Sequence, residues 1–203
     1  MLRVGLTGGI ACGKSTVARM LVSRSAHFLQ ADTLAHQLYA PGNLVYDEVV
    51  RHFGREILNE DGSINRRRLA DVAFPDRINE LNAVVHPAVI RAQTQWMDEM
   101  ARKDPDGIAV VEAALIIEAG AAKDFDKLIV VTCDFERKVE RFAVRARISL
   151  DAARAEVERR SAAQMSDEEK VRYADYVIDN SGPREETDRQ VEKIWSELQS
   201  LAK

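Results

Sequence analysis

Apolar residues along this chain follow two rhythms. Short apolar runs bounded by turn residues occupy Leu2–Thr7, His27–Ala31, Ile108–Glu112, Lys127–Thr132 and Ala174–Asn180, and their length and β-branched content predict strands. Between them the apolar positions recur three and four apart, the period of a helix with one buried face. Val17, Ala18, Met20, Leu21 and Val22 mark a first helix, and Val45, Val49, Val50 and Phe53 another that ends near Gly54. After a turn at Glu60-Asp61-Gly62-Ser63, a short helix carries Leu69, Val72 and Phe74. Ile78, Leu81, Val84 and Val85 open a longer one, which Pro87 either restarts or kinks and which runs through Trp96 and Met100 to Lys103. Val191, Ile194, Trp195 and Leu198 form the closing helix. Strands alternating with helices predict an α/β fold, a parallel sheet covered on both faces. The 203 residues suit one such core with insertions. No internal repeat or linker interrupts it.

Composition narrows the partners. A net charge of −4 argues against a general nucleic-acid binder, while leaving room for a local basic site. No apolar run approaches membrane-spanning length, and the first residues lack a secretory pattern. The two cysteines, Cys12 and Cys133, offer neither a disulfide framework nor metal-ligand spacing. The expectation is a cytoplasmic protein with no membrane, nucleic-acid or obligate protein partner.

Candidate chemistry begins at Gly8-Gly9-Ile10-Ala11-Cys12-Gly13-Lys14-Ser15, followed by Thr16. It fits the phosphate-binding P-loop, G-x-x-x-x-G-K-[ST], and lies between a predicted strand and a predicted helix. Glycines let backbone approach phosphate, and successive N–H groups at a helix N-terminus form an anion cradle. Gly9 to Thr16 are therefore the expected nucleotide-triphosphate site. Lys14 reaches the terminal phosphates, and the Ser15 hydroxyl ligates Mg²⁺.

Three further groups admit two readings each. Asp32, ending the second strand, either faces the ligand crevice of such sheets or caps a helix starting at Thr33. Glu112, ending Ile108–Glu112, is either a Walker-B-like acid supporting Mg²⁺ or a surface residue. The arginines are either phosphate ligands or a solvated face. They include Arg66-Arg67-Arg68 and the set from Arg137 to Arg160. Arg137, Arg141 and Arg145 share one helix face, where they could close over a triphosphate as a lid. Glu136, Glu140, Glu156 and Glu158 could instead neutralise many of these.

With these residues in place, nearly the whole chain resembles the dephospho-CoA kinases. The resemblance runs from Val4-Gly5-Leu6-Thr7 and the P-loop through Ala31-Asp32 with His36, Phe53-Gly54, Asp61 to Arg66, and Leu81-Asn82. It continues through His86-Pro87, Leu115 to Glu118, Arg160 with Gln164, and Ala174 to Asn180. The chain departs from the family at Gln30, at Ala11-Cys12 and at Ala114 to Glu118.

The resemblance implies a single P-loop kinase domain of the nucleoside-monophosphate-kinase type. Its core would span 1–31, 104–136 and 174–203, with an acceptor-binding helical region at 32–103 and a lid at 137–173. It implies phosphorylation of the ribose 3′-hydroxyl of dephospho-CoA by ATP with Mg²⁺. Lys14, Asp32 and Arg141 would be catalytic, Arg145 would serve the lid, and Asp32, His36, Arg66, His86 and Leu115 would hold the acceptor. Kinases for nucleoside monophosphates or shikimate share the core but not the stretches around His86 and Ala174–Asn180. A GTP-binding switch would carry Asn-Lys-x-Asp, which is absent.

Overall fold

The computed structural model describes residues 1–73 and 76–202, and of Ala35 and His36 the backbone alone. Phe74, expected on a helix, lies outside the described residues.

Five strands appear where the apolar runs predict them: β1 (Leu2–Gly8), β2 (His27–Gln30), β3 (Ile108–Glu112), β4 (Lys127–Thr132) and β5 (Tyr176–Asp179). They form one sheet in the order β2-β3-β1-β4-β5, which places β1 at its centre. β1 runs parallel to β3, pairing Leu6 with Glu112, and parallel to β4, pairing Gly8 with Val131. β4 runs parallel to β5, pairing Thr132 with Asp179. Parallel strands emerge on one edge, so the residues after Gly8, Glu112, Thr132 and Asp179 share it. In open parallel sheets that edge is where ligands bind.

The last strand is shorter than the apolar run Ala174–Asn180. Asp175 stands outside the ladder, and its carboxylate accepts the Leu128 N–H at 2.8 Å and the Lys127 ammonium at 2.9 Å. A side chain thus sets the entry of β5. The sheet is nearly continuously apolar, as parallel strands covered on both faces require. Val4, Leu6, Val110, Ile129, Val131 and Ile178 are buried with Val17 and Leu21 of helix α1 (Lys14–Val22) and with Val191 and Leu198 of helix α9 (Arg184–Leu201). Each such side chain is stabilising by roughly 1.5–3 kcal/mol relative to its exposure.

Contacts divide the chain into two compact units, residues 1–29 with 97–203, and residues 30–96. The second contains helices α2 (Ala31–Leu38), α3 (Leu44–Phe53), α4 (Arg66–Ala73) and most of α5 (Ile78–Lys103). Its own core gathers Val49, Phe53, Ile57, Leu69, Ala73 and Val85. The Asn43 side chain caps α3 by accepting the Val45 N–H at 3.0 Å. Gly54, at φ +84°, ends α3 in a conformation that costs glycine least. Pro87 lies inside α5, a single 26-residue helix, and does not restart it.

In the first unit, helices α6 (Phe135–Ala146) and α7 (Leu150–Ala162) pack through Val139, Phe142, Ala143, Ala153 and Val157. Ile10 and Ala11, at the tip of the loop after β1, pack against the same cluster. Short helix α8 (Asp167–Val171) returns the chain to β5. No helix among the described residues is long and apolar enough to cross a membrane.

Candidate active site

The turn after β1 has the shape its glycines require. Gly13 takes φ +93° and is the N-cap of α1, contributing no side-chain cap. The first-turn N–H groups of α1 therefore have no capping acceptor from it, the arrangement that receives an anion. Ala11 also adopts a left-handed backbone, at φ +53°. That conformation costs an L-residue roughly 1–2 kcal/mol. Cys12 turns inward and is fully buried, and burial pushes its thiol above the usual cysteine value of 9.0. Cys133, also buried, is raised for the same reason, so neither is an activated thiolate. Cys12 fills the turn. Lys14 Nζ folds back along the loop and donates to the carbonyls of Gly8 at 2.9 Å and Gly9 at 3.0 Å.

The loop is fastened from the end of β5, a role that sequence reading did not assign. Asn180 Nδ2 donates to the Cys12 carbonyl at 2.8 Å, and Asn180 Oδ1 accepts from the Thr187 hydroxyl at 2.9 Å. A Cβ on Gly13 would stand 2.0 Å from that Nδ2, so Gly13 is glycine for packing as well as conformation. Arg141 of α6 adds a second clasp. Its Nη2 donates to the Asn180 carbonyl at 2.8 Å, and its Nη1 lies 3.3 Å from both the Cys12 carbonyl and Cys133 Sγ.

The shared face predicted for Arg137, Arg141 and Arg145 is real. All three border a cavity of about 650 Å³, which Ser181, Gly182 and Pro183 close from the turn after β5. Arg145 is exposed and stacks on the Phe142 ring at 5.2 Å. Three of the four expected glutamates form ion pairs with these arginines. Glu140 pairs with Arg137, Glu136 with Arg154, and Glu156 with Arg159 and Arg160, which hold its carboxyl down to about 2.

Glu112 ends β3 as expected, but buried, at 7% exposure, and not as a surface residue. The turn after it carries Leu115, and the Ala114 carbonyl there accepts from Thr7 at 3.2 Å and from Lys170 at 3.2 Å. Lys170 is fully buried and pairs with Glu118 at 3.0 Å. Lys138 of α6 pairs with Asp167 beside Gly9. These lysines escaped sequence reading because their partners lie 29 or more residues away.

Asp32, Arg66 and His86 fall in the 30–96 unit, and the His36 side chain lies outside the described residues. The helix after β2 begins at Ala31, with Gln30 as its N-cap, so the reading of Asp32 as cap of a helix starting at Thr33 is corrected. The Gln30 amide oxygen accepts the Thr33 hydroxyl at 3.1 Å, which leaves Asp32 an exposed first-turn carboxylate. His86, half-buried on α5, has its imidazole pulled below 6.5 by that burial.

A five-stranded sheet centred on a strand–P-loop–helix unit, with an arginine-bearing helix pair packed on the loop, defines a P-loop kinase. The sequence model of one family, dephospho-CoA kinase, matches residues 2–186. Over 200 residues the chain is 44% identical to the dephospho-CoA kinase of Aquifex aeolicus, covering 98% of each. Among solved structures it resembles the Thermus thermophilus protein TT1252, at a TM-score of 0.79, 33% identity and 97% coverage of each chain. It also resembles the dephospho-CoA kinase of Campylobacter jejuni, at a TM-score of 0.68 and 25% identity over 98% of this chain and 97% of that one. The chain belongs to the dephospho-CoA kinase family.

Proposed function

We propose that the protein transfers the γ-phosphoryl group of ATP to the ribose 3′-hydroxyl of dephospho-CoA, giving coenzyme A and ADP. The observation that carries this is the family match across residues 2–186, on a chain whose P-loop has the backbone geometry of an anion cradle. The N–H groups of Gly9 to Thr16 take the β- and γ-phosphates, and Lys14 exchanges its two loop carbonyls for phosphate oxygens. The cavity under Arg137, Arg141 and Arg145 takes the rest of the nucleotide. A guanidinium has five N–H donors, and Arg141 commits three to Cys12, Cys133 and Asn180. Two are left for a phosphate, and Arg145 adds a second cation from the same helix face.

The residues present fit Mg²⁺. Among the described residues no cluster of three or more His, Cys, Asp or Glu could hold a metal. Mg²⁺ bound with a nucleotide uses one or two protein oxygens plus phosphates and water, which needs no such cluster. The Ser15 hydroxyl would hold it, with Glu112 as the supporting carboxylate. Bound there, the ion would neutralise charge on the transferring phosphate.

Asp32 orients or deprotonates the acceptor hydroxyl, a role that an exposed carboxylate in the first turn of α2 suits. His36, Arg66, His86 and Leu115 hold the acceptor. The domain then divides into a core at 1–31, 104–136 and 174–203, an acceptor region at 32–103 and a lid at 137–173. Incubation with ATP and dephospho-CoA, with product identified by mass and by phosphorus resonance, tests the reading. AMP and shikimate serve as rival acceptors. Faster transfer to either rival than to dephospho-CoA sinks it.

A further inference from the structure

Helices α6 and α7 carry many ion pairs, and most face solvent. The side chains of Arg137 and Glu140 are 56% and 54% exposed, and pairs of that kind contribute little. One pair differs. Lys138 and Asp167 are only 11% and 20% exposed, and their charged atoms are in hydrogen-bond contact. Removing either partner would strand a largely desolvated charge, so the pair has consequences that the surface pairs lack.

The pair sits on the phosphate loop. A Cβ built on Gly9 would lie 2.7 Å from Asp167 Oδ1 and 3.3 Å from Lys138 Nζ, so the two groups occupy the space a side chain would fill. Asp167 is held there firmly. It opens α8, a helix of five residues that would not be stable alone. Ser166 and Glu169 form a reciprocal capping box at its start. Near its other end Lys170, fully buried, is tied to Glu118 and to the Ala114 carbonyl. α8 is thus a strut with one foot on the phosphate loop and the other on the turn that carries Leu115.

We propose that Lys138 and Asp167 are positioning residues for phosphoryl transfer, holding the turn before α8 on Gly9 so that the lid helices and the phosphate loop keep one geometry. What the structure shows them touching is the loop, at Gly9. Their effect is on alignment, where small displacements cost large factors in rate. The proposal rests on the reading of the loop as the ATP site.

The test is a double-mutant cycle on the full chain, using Asp167→Asn, Lys138→Met and the two together. Each single variant is expected to lower kcat about tenfold while the KM for ATP stays within about threefold. With ADP bound, amide hydrogen exchange is expected to quicken at residues 8–12 and 165–170 together. The double variant leaves no unpaired buried charge, so it is expected to fold even if a single variant does not. It should be as slow as either single variant and no slower. A double variant with wild-type kcat makes the pair merely structural and overturns the proposal, as does a double whose losses multiply to about a hundredfold. Wild-type exchange at both segments in Asp167→Asn overturns it independently of any assay. Failure of the ATP reading would show separately, as absent transfer in the unmodified protein.

Discussion

Asn180 Nδ2 donates to the carbonyl of Cys12 across 168 residues of chain, at 2.8 Å. Its amide oxygen takes the hydroxyl of Thr187, so both ends of the amide are used within the protein. The clasp holds the phosphate loop in the backbone conformation that its glycines permit. Asn180→Ala removes two buried hydrogen bonds and is expected to destabilise by about 1–3 kcal/mol. Asn180→Asp should cost more, because it sets a carboxylate oxygen against the Cys12 carbonyl. Thermal melts of the two variants check the order, and a melt of Asn180→Asp matching wild type would show that the clasp does not bear on stability.

Lys14, whose ammonium donates to the Gly8 and Gly9 carbonyls, is the cation proposed to meet the phosphates. Lys14→Ala is expected to fold normally, since the residue is only partly buried. It should lose ~10²–10³ in turnover, the scale on which single electrostatic donors act. Near-normal turnover in the folded variant would contradict the assignment of the loop.

For Asp32, the position in the first turn of α2 separates chemistry from folding. Its charge favours the helix N-terminus by about 0.3–1 kcal/mol, so Asp32→Asn should shift stability by no more than that. Turnover of dephospho-CoA should fall by ~10²-fold or more if the carboxylate acts on the hydroxyl. Nucleotide affinity, measured by calorimetry, should hold steady. If turnover survives, Glu112 is the next carboxylate to test.

Lys170 is fully buried and answered by Glu118. Lys170→Met is expected to cost about 3–5 kcal/mol, since it leaves the partner carboxylate without its cation. Adding Glu118→Gln removes that stranded charge and should recover a large part of the loss. Denaturant unfolding of the single and double variants measures both. A double variant no more stable than the single would mean that packing, and not charge, sets the cost.

His86 gives a pH dependence with a definite sign. Burial lowers its folded pKa below 6.5, so in acid the unfolded chain takes up a proton that the folded one resists. Its contribution is complete above pH 6.5 and declines as pH falls from there toward the lower folded value. His86→Gln should therefore show a shallower loss of melting temperature between pH 6.5 and 5.5 than wild type. Parallel slopes for the two proteins would rule out His86 as a source of acid sensitivity.

Much of the site was legible where chemistry is contiguous. Gly8 to Ser15 is a local pattern, and its flanking apolar runs place it between a strand and a helix. Arg137, Arg141 and Arg145 share a face because helical spacing alone puts them there. Asp32 was harder. Whether Asp32 caps the helix or stands in its first turn depends on a two-residue shift of the helix start, from Thr33 to Ala31, which Ala31 and Gln30 do not reveal by type. Lys138 and Lys170 passed unnoticed in a charged stretch, since sequence shows a lysine's charge but not its burial.

The sequence by itself determined the local backbone: the alternation of strands and helices, the left-handed turn at Gly13, the end of α3 at Gly54. Those outcomes depend on side-chain sterics and periodicity within a few residues. Only the tertiary structure decided the strand order β2-β3-β1-β4-β5, the clasp of Asn180 and Arg141 on Cys12, and the two buried ion pairs of α8. Each of these joins groups far apart along the chain, and its free energy comes from desolvation that exists only once the elements have packed.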